Sequence, residues 1–269
     1  MYLLRNTRRM PRFKITLEYD GTKYSGWQVQ NNAKTIQGEF FKACEALFGT
    51  KTFEFYGSSR TDSGVHALDQ VAHLEVQTLI PNYNLRIKLN DELPKDISIL
   101  NVETVSPKFH ARFDATARSY IYLISRRKTA FAKPFVWSVK DKLNAKAMQD
   151  AARFLEGFKD FRSFTADDPE EKSTQVEMRF IDLYELDDMI VVHVVGSHFL
   201  WKMVRRIVGM LVEVGKGNMK PSEILSIMEG DKEANKFTAP PCGLFLERVY
   251  YAGEEVLRGE EAFKLPVLL

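Results

Sequence analysis

Hydrophobic and polar positions alternate along residues 12–20, "RFKITLEYD", with Phe13, Ile15, Leu17 and Tyr19 set against Lys14, Thr16 and Glu18. Period two is the mark of a strand with one buried face, and Gly21 ends it. The period then changes. Ile36, Phe40, Cys44, Leu47 and Phe48 recur at helical spacing, and Gly49 stands where a helix C-cap glycine belongs. "TFEFYG" and "QVAHLEV" predict two further strands, Leu85 to Leu93 a weak helix closed by Pro94, and "DISILNVETV" a fourth strand. The order is β-α-β-β-α-β.

From Arg118 the same order returns: "RSYIYLIS", a helix over Ala145 to Glu156 stopped by Gly157, "VEMRFIDLYEL", "MIVVHVVG", a long helix over Phe199 to Val214, and "GLFLERVYY". This duplication rests on element order, not residue identity. Each half fits the ferredoxin-like split β-α-β pattern. The expected fold is therefore α/β, of α+β type, with two ferredoxin-like halves whose antiparallel or mixed sheets flank a central cleft, the usual place for a site. We place the halves at 1–109 and 110–269, joined through "TVSPKFHARFDATA" at 104–117. The acidic stretch 166–174, "ADDPEEKST", reads as a mobile insertion.

Composition narrows the class. With 269 residues, 45% of them hydrophobic, the chain can bury the core of one large domain or two ordinary ones. It has no apolar run of about eighteen residues, and its basic start, "MYLLRNTRRMPRFK", leads into the first strand without the apolar core of a secretory signal. A soluble protein of the cytoplasm, with no membrane association, is expected. Cys44 and Cys242 lie far apart with no CxxC or Cys/His spacing, so neither a structural zinc nor a disulfide framework is expected. The net charge of +2 argues neither for nor against nucleic acid, because an RNA enzyme needs a local basic face rather than a basic total. Local clusters exist at Arg5, Arg8, Arg9, Arg12 and Lys14, at Arg126, Arg127 and Lys128, and at Lys202, Arg205 and Arg206.

The stretch "GSSRTDSGVHA", residues 57–67, gathers an arginine, an aspartate and a histidine between two strands. Asp62 has two readings: a turn former whose carboxylate binds backbone N–H groups, or a reacting group with Arg60 close by and Gly64 letting a substrate backbone approach. His66 likewise reads as a general base or as a histidine satisfied by a loop carbonyl. The stretch has no second carboxylate, no metal-ligand set and no nucleophilic serine or cysteine context. Asp62 would then act without a metal, as nucleophile or base, with a cation keeping it ionised. Arg205 can supply that cation. It lies with His198, Lys202 and Gly209 away from the apolar stripe of Phe199, Met203, Ile207, Met210, Leu211 and Val214, on a helix where an unpaired charge is costly. Tyr120 and Tyr122 alternate along a strand and share a face, and Arg118 shares it too. Core packing is the default for both tyrosines, while arginine beside tyrosine suits a site that stacks a base and holds phosphate.

Five blocks in order, "LEYDGTKYSGWQVQ", "GSSRTDSGVHALDQVAHLE", "FHARFDATARSYIY", "SHFLWKMVRRIVGMLVEVG" and "GLFLERVYY", resemble the tRNA pseudouridine synthase A family from about Pro11 to Tyr251. The resemblance implies a cofactor-free enzyme that isomerises uridine to pseudouridine at positions 38, 39 and 40 of the tRNA anticodon stem-loop and works as a homodimer with RNA spanning both subunits. It implies Asp62 as the catalytic aspartate, Tyr120 as the residue stacking on the target base, Arg205 as the partner of Asp62, and Arg60 as a cleft residue involved in taking the nucleotide out of the stem. Arg118 and His66 join Arg60 and Tyr120 as substrate-binding candidates, and no metal is called for. Asp69 stands where many members have glycine, and Met10 begins a typical family start, so residues 1–9 read as an upstream extension. A synthase for another tRNA position or several RNAs, and an RNA-binding protein without catalysis, are the alternatives. A metal-dependent hydrolase ranks behind both, because its ligands are missing.

Overall fold

The computed structural model describes residues 10–165, 173–230, 234–259 and 261–266. Arg5, Arg8 and Arg9 of the first basic cluster, the extension 1–9 and most of the acidic stretch (166–172) lie outside the described residues.

The first half runs β1 (Arg12–Tyr19), α1 (Ile36–Phe48), β2 (Phe53–Gly57), β3 (His66–Val76), α2 (Asn82–Glu92) and β4 (Ile97–Val105). The second runs β5 (Ala115–Ser125), β6 (Trp137–Ser138), α3 (Ala145–Ala152), β7 (Gly157–Asp160), β8 (Gln175–Leu186), β9 (Met189–Gly196), α4 (Met203–Gly215), α5 (Glu223–Met228) and β10 (Leu244–Tyr251). The local reasons are visible in the caps. Thr35 accepts the Gly38 N–H at the start of α1, and Gly49, at φ 64°, closes it with an N–H to the Glu45 carbonyl.

Ten strands form one sheet in the order β4-β1-β3-β10-β5-β9-β8-β7, with β2 on β3 and β6 on β5. Each half repeats one arrangement: its first strand lies between its fourth and its third (β4-β1-β3 and β10-β5-β9), and its second strand pairs with the third (β2 on β3, β8 on β9). That is the split β-α-β pattern twice over. The halves fuse where β3 meets β10 in parallel, Phe245 beside His66 and Leu246 beside Ala67. β2 takes the far end of the same edge of β3, from Phe53–Val76 to Gly57–Ala72. The chain between β2 and β3 therefore emerges where β3 changes partners.

Both faces of the central strands are covered, which is why β5 reads as a nearly unbroken apolar run. Tyr120, Tyr122 and Ile124 enter the large core with Phe40, Leu74, Met148 and Ile207. Ile121 and Leu123 point the other way, into a smaller core with Val191 and Phe245 that Phe263 and Leu265 help cover. Among the described residues no helix is long and apolar enough to cross a membrane. Both cysteines are free thiols.

Two helices differ from expectation by about one turn at one end. The helix expected from Phe199 starts at Met203, because Lys202 adopts a left-handed conformation, φ 63°, uncommon for a residue with a Cβ. The helix expected to Glu156 ends at Ala152, passes through a tight turn over Arg153–Leu155, and gives way at Gly157, φ 97°, to β7.

Candidate active site

The segment from Ser58 to Val65 is built from its backbone outward. Residues 24–27 clamp it: the Trp27 N–H donates to the Thr61 carbonyl at 3.0 Å, and the Gly64 N–H and Ser63 hydroxyl donate to the Tyr24 carbonyl at 3.3 and 3.1 Å. Gly26 permits this closeness, since a Cβ there would lie 2.6 Å from the Thr61 carbonyl oxygen. Beneath, Tyr19 and Thr61 share a hydroxyl bond of 2.8 Å, and buried Gln70 accepts from the Ser58 hydroxyl and donates to the Ser59 carbonyl, at 2.8 and 3.0 Å. The Val65 N–H closes the turn on the Asp62 carbonyl. The Asp62 side chain takes no part in any of this.

That carboxylate faces α4. Among the described residues its hydrogen-bond partner is Arg205, whose Nη1 donates to Oδ2 at 2.9 Å, with side chains 14% and 19% exposed. The guanidinium is itself held, because Nε donates to the Ala239 carbonyl at 2.8 Å while the Ala239 N–H returns a bond to the Arg205 carbonyl at 3.0 Å. Gly209, one turn on, lets this strap lie against α4: a Cβ there would sit 1.5 Å from the Phe237 carbonyl oxygen.

Asp62, Arg205, Tyr120, Arg60 and Arg118 all line one cleft of about 1110 Å³. Tyr120 is nearly buried, its ring edge-on to Phe199 at 5.0 Å. Burial pushes its hydroxyl up to about 12, against a hydrogen bond with Ser59 and the nearby Arg118 charge, so at neutral pH it remains a phenol. Arg60 is exposed at the cleft wall and has no ion-pair partner among the described residues.

Three expectations are modified. Arg118 lies on the cleft, but it spends its donors on the carbonyls of Ala115, Ser197 and Arg112, at 3.1, 2.9 and 2.7 Å, so it braces loops rather than offering a free fork to phosphate. His66 does not line the cleft. It opens β3 at 1% exposure, ring against Phe245 at 4.6 Å, with Nε2 3.2 Å from the Pro134 carbonyl and Nδ1 3.1 Å from the Gly21 amide and the Asp20 carboxylate. The basic clusters are also largely committed: Arg126 pairs with Glu185, Arg127 with Asp188, and buried Arg206 donates to the Thr165 carbonyl. Tyr122 is core, its hydroxyl donating to the Pro240 carbonyl at 2.8 Å.

Sequence reading missed the rim. Exposed Tyr56, Phe113 and Trp201 line the cleft, and Lys202 sits over the Trp201 ring at 4.6 Å. "FHARF", taken as a connection, carried a signal in its aromatics interleaved with arginine. Asp69 pairs with Lys264 at 3.0 Å, a surface contact away from the cleft. Among the described residues no group of three or more His, Cys, Asp or Glu side chains is placed to hold a metal ion.

The tRNA pseudouridine synthase family profile matches residues 15–114 and 151–252. The chain is 42% identical over 246 residues to tRNA pseudouridine synthase A of Ruminiclostridium cellulolyticum, covering 90% of this chain and all of that protein. It is 39% identical over 247 residues to tRNA pseudouridine synthase A 2 of Bacillus cereus and 38% over 245 residues to the Clostridium perfringens protein of that name, each again spanning 90% of this chain and all of the relative. The chain belongs to the tRNA pseudouridine synthase family.

Proposed function

We propose that this chain isomerises uridine to pseudouridine in tRNA, at positions 38, 39 and 40 of the anticodon stem-loop, without cofactor or metal. The observation that carries the reading is the Asp62–Arg205 pair: a carboxylate free of its own turn, held by one cation across the cleft. Residues 1–109 supply the aspartate and 110–269 the arginine and Tyr120. The enzyme acts in the cytoplasm as a homodimer.

A stem uridine must leave the helix before its glycosidic bond can be reached, at a cost of a few kcal/mol. Arg60, without an acidic partner among the described residues, and Tyr120, lining the cleft with Asp62, offset part of that cost. The N1–C1′ bond then breaks, the uracil turns, and C5 bonds to C1′. A carboxylate suits this step as it suits glycosidases, either by attack on C1′ or by taking a sugar proton, and the Arg205 bond to Oδ2 holds it in place for both routes. Tyr120 stacks on the base, and the C5 proton passes to its hydroxyl, to Asp62 or to water.

The test is incubation with unmodified tRNA transcripts followed by pseudouridine mapping at nucleotide resolution. Product confined to 38–40 is expected. Product elsewhere would reassign the substrate position, and binding without product would make the chain an RNA-binding protein.

A further inference from the structure

Phe113 is 77% exposed, yet the turn that carries it, residues 110–114, is tied at several points. The His110 N–H donates to the Asp114 carboxylate at 2.9 Å and the Asp114 N–H to the His110 carbonyl at 3.0 Å. His110 Nδ1 accepts the N–H groups of Arg112 and Phe113 at 3.1 and 3.3 Å. From outside the turn, Arg118 donates to the Arg112 carbonyl at 2.7 Å, the Tyr251 hydroxyl to the Ala111 carbonyl at 2.8 Å, and the Ala111 N–H to His73 Nδ1 at 3.1 Å. Exposed loop tips are usually mobile. This one holds an apolar ring at a fixed place in water.

The ring is backed by others. Phe113 lies 4.2 Å from His110 at 31°, His110 lies 4.7 Å from His73, and half-exposed Tyr56 closes the series at 6.2 Å from His110. All but His73 line the cleft, together with Arg60 and Arg112, both exposed and without an acidic partner among the described residues. A flat ring with one face open, beside two unpaired guanidiniums, fits a nucleotide: its base stacks on the ring and its phosphates meet the arginines. An aliphatic ligand would leave both charges unused.

We infer that Phe113, backed by His110, is a stacking platform for a second, unpaired nucleobase of the RNA, separate from the base beside Tyr120, with Arg112 and Arg60 on the flanking phosphates. The inference rests on the tRNA reading above. Fixing a neighbouring base would hold the strand open while the target uridine is in the cleft.

The experiment measures filter binding of the full chain, Phe113→Ala and Phe113→Trp to an unmodified tRNA transcript and to synthetic versions carrying one abasic residue at each position flanking the target uridine. Thermal melts confirm folding, and sedimentation gives the oligomeric state. Phe113→Ala should weaken binding about tenfold or more, and Phe113→Trp should stay within about twofold of the parent. At one abasic position the parent should lose affinity while Phe113→Ala loses no more, because the base it would have stacked is gone. Equal affinity of parent and Phe113→Ala, an alanine penalty unchanged on every abasic RNA, or a change of oligomeric state as the sole effect would overturn the platform. If the parent still makes pseudouridine in those cases, the platform alone falls. A parent that neither binds nor modifies tRNA removes the tRNA reading and the platform with it.

Discussion

Arg205 and Asp62 are 143 positions apart in the chain and 2.9 Å apart in space, joining α4 of the second half to the segment between β2 and β3 of the first. The pair is partly screened, so its Coulomb attraction is modest. Its weight comes from direction: Ala239 fixes one edge of the guanidinium while Nη1 meets the carboxylate. A planar fork aims separate donors at both partners in fixed directions, whereas an ammonium is a single compact charge on a flexible stem.

Arg205→Met should therefore reduce turnover far more than stability. Loss of one cleft ion pair and one carbonyl bond should cost about 1–3 kcal/mol of stability, while pseudouridine formation falls by orders of magnitude. Arg205→Lys should keep the charge, lose the bridge to Ala239, and retain partial activity. Urea unfolding and tritium release from 5-tritiated uridine in tRNA separate the two effects. A parallel fall in both would make Arg205 a structural residue.

Gly209→Ala reaches the same pair without touching it. The added methyl would lie 1.5 Å from the Phe237 carbonyl oxygen and 3.1 Å from the Ala239 nitrogen, backbone that cannot rotate away. We expect a loss of about 2–3 kcal/mol and a drop in turnover beyond what unfolding explains, because the Ala239 carbonyl that orients Arg205 must move. Wild-type turnover at a temperature where the variant is fully folded would show that the strap does not position Arg205.

Much of this was legible from pattern. β1, α1, β4 and β10 follow their apolar periods nearly residue for residue, and the repeated element order anticipated the repeated strand order. The fusion of the halves was not legible, since two residue pairs between β3 and β10 leave no periodic mark. Phe199 keeps the helical period of α4 yet lies outside it, because the left-handed Lys202 breaks the helix without a glycine to announce it. Arg118 and His66 carry site-like chemistry in sequence, but which carbonyl satisfies a buried donor is decided by tertiary packing. Arg205 and Asp62 could be paired beforehand because a charge on an apolar helix demands a partner.

Acid should weaken the fold in a histidine-specific window. Burial holds His73 and His193 down to about 4, against about 6.5 in the unfolded chain. The folded form is thus the poorer proton binder, and stability is complete above about pH 6.5 and is lost as pH falls toward 4, by up to about 1.4 kcal/mol per unit for each ring. His73 adds a local consequence, since its protonation removes the acceptor of the Ala111 N–H. Urea midpoints should decline steadily between pH 6.5 and about 5.5, above the range where ordinary carboxylates titrate. A flat profile there would mean that these rings are not held neutral.

Binding to tRNA should depend on salt through few contacts. With Arg126, Arg127 and Arg206 committed within the protein, Arg60, Arg112 and Lys202 are, among the described residues, the cleft cations left to meet phosphate. About three contacts per cleft predict a slope of log affinity against log salt of roughly −2 to −3. A zero slope would point away from a structured RNA substrate.

The sharpest test is Asp62→Asn. Asparagine keeps the size and backbone preferences of aspartate, and the turn is closed by the Asp62 carbonyl rather than its side chain, so the variant should fold. Its amide can still lie against Arg205 but carries no charge, and as a nucleophile or base it is far too weak to replace a carboxylate. We expect binding to tRNA within about tenfold of the parent, equivalent to roughly 1.4 kcal/mol, with no detectable pseudouridine. Filter binding reports the first quantity and tritium release the second. Substantial turnover by Asp62→Asn would leave the carboxylate no chemical part and reduce its pairing with Arg205 to a tie between the halves. A parent that binds tRNA and makes no product would instead show that this cleft recognises RNA without transforming it.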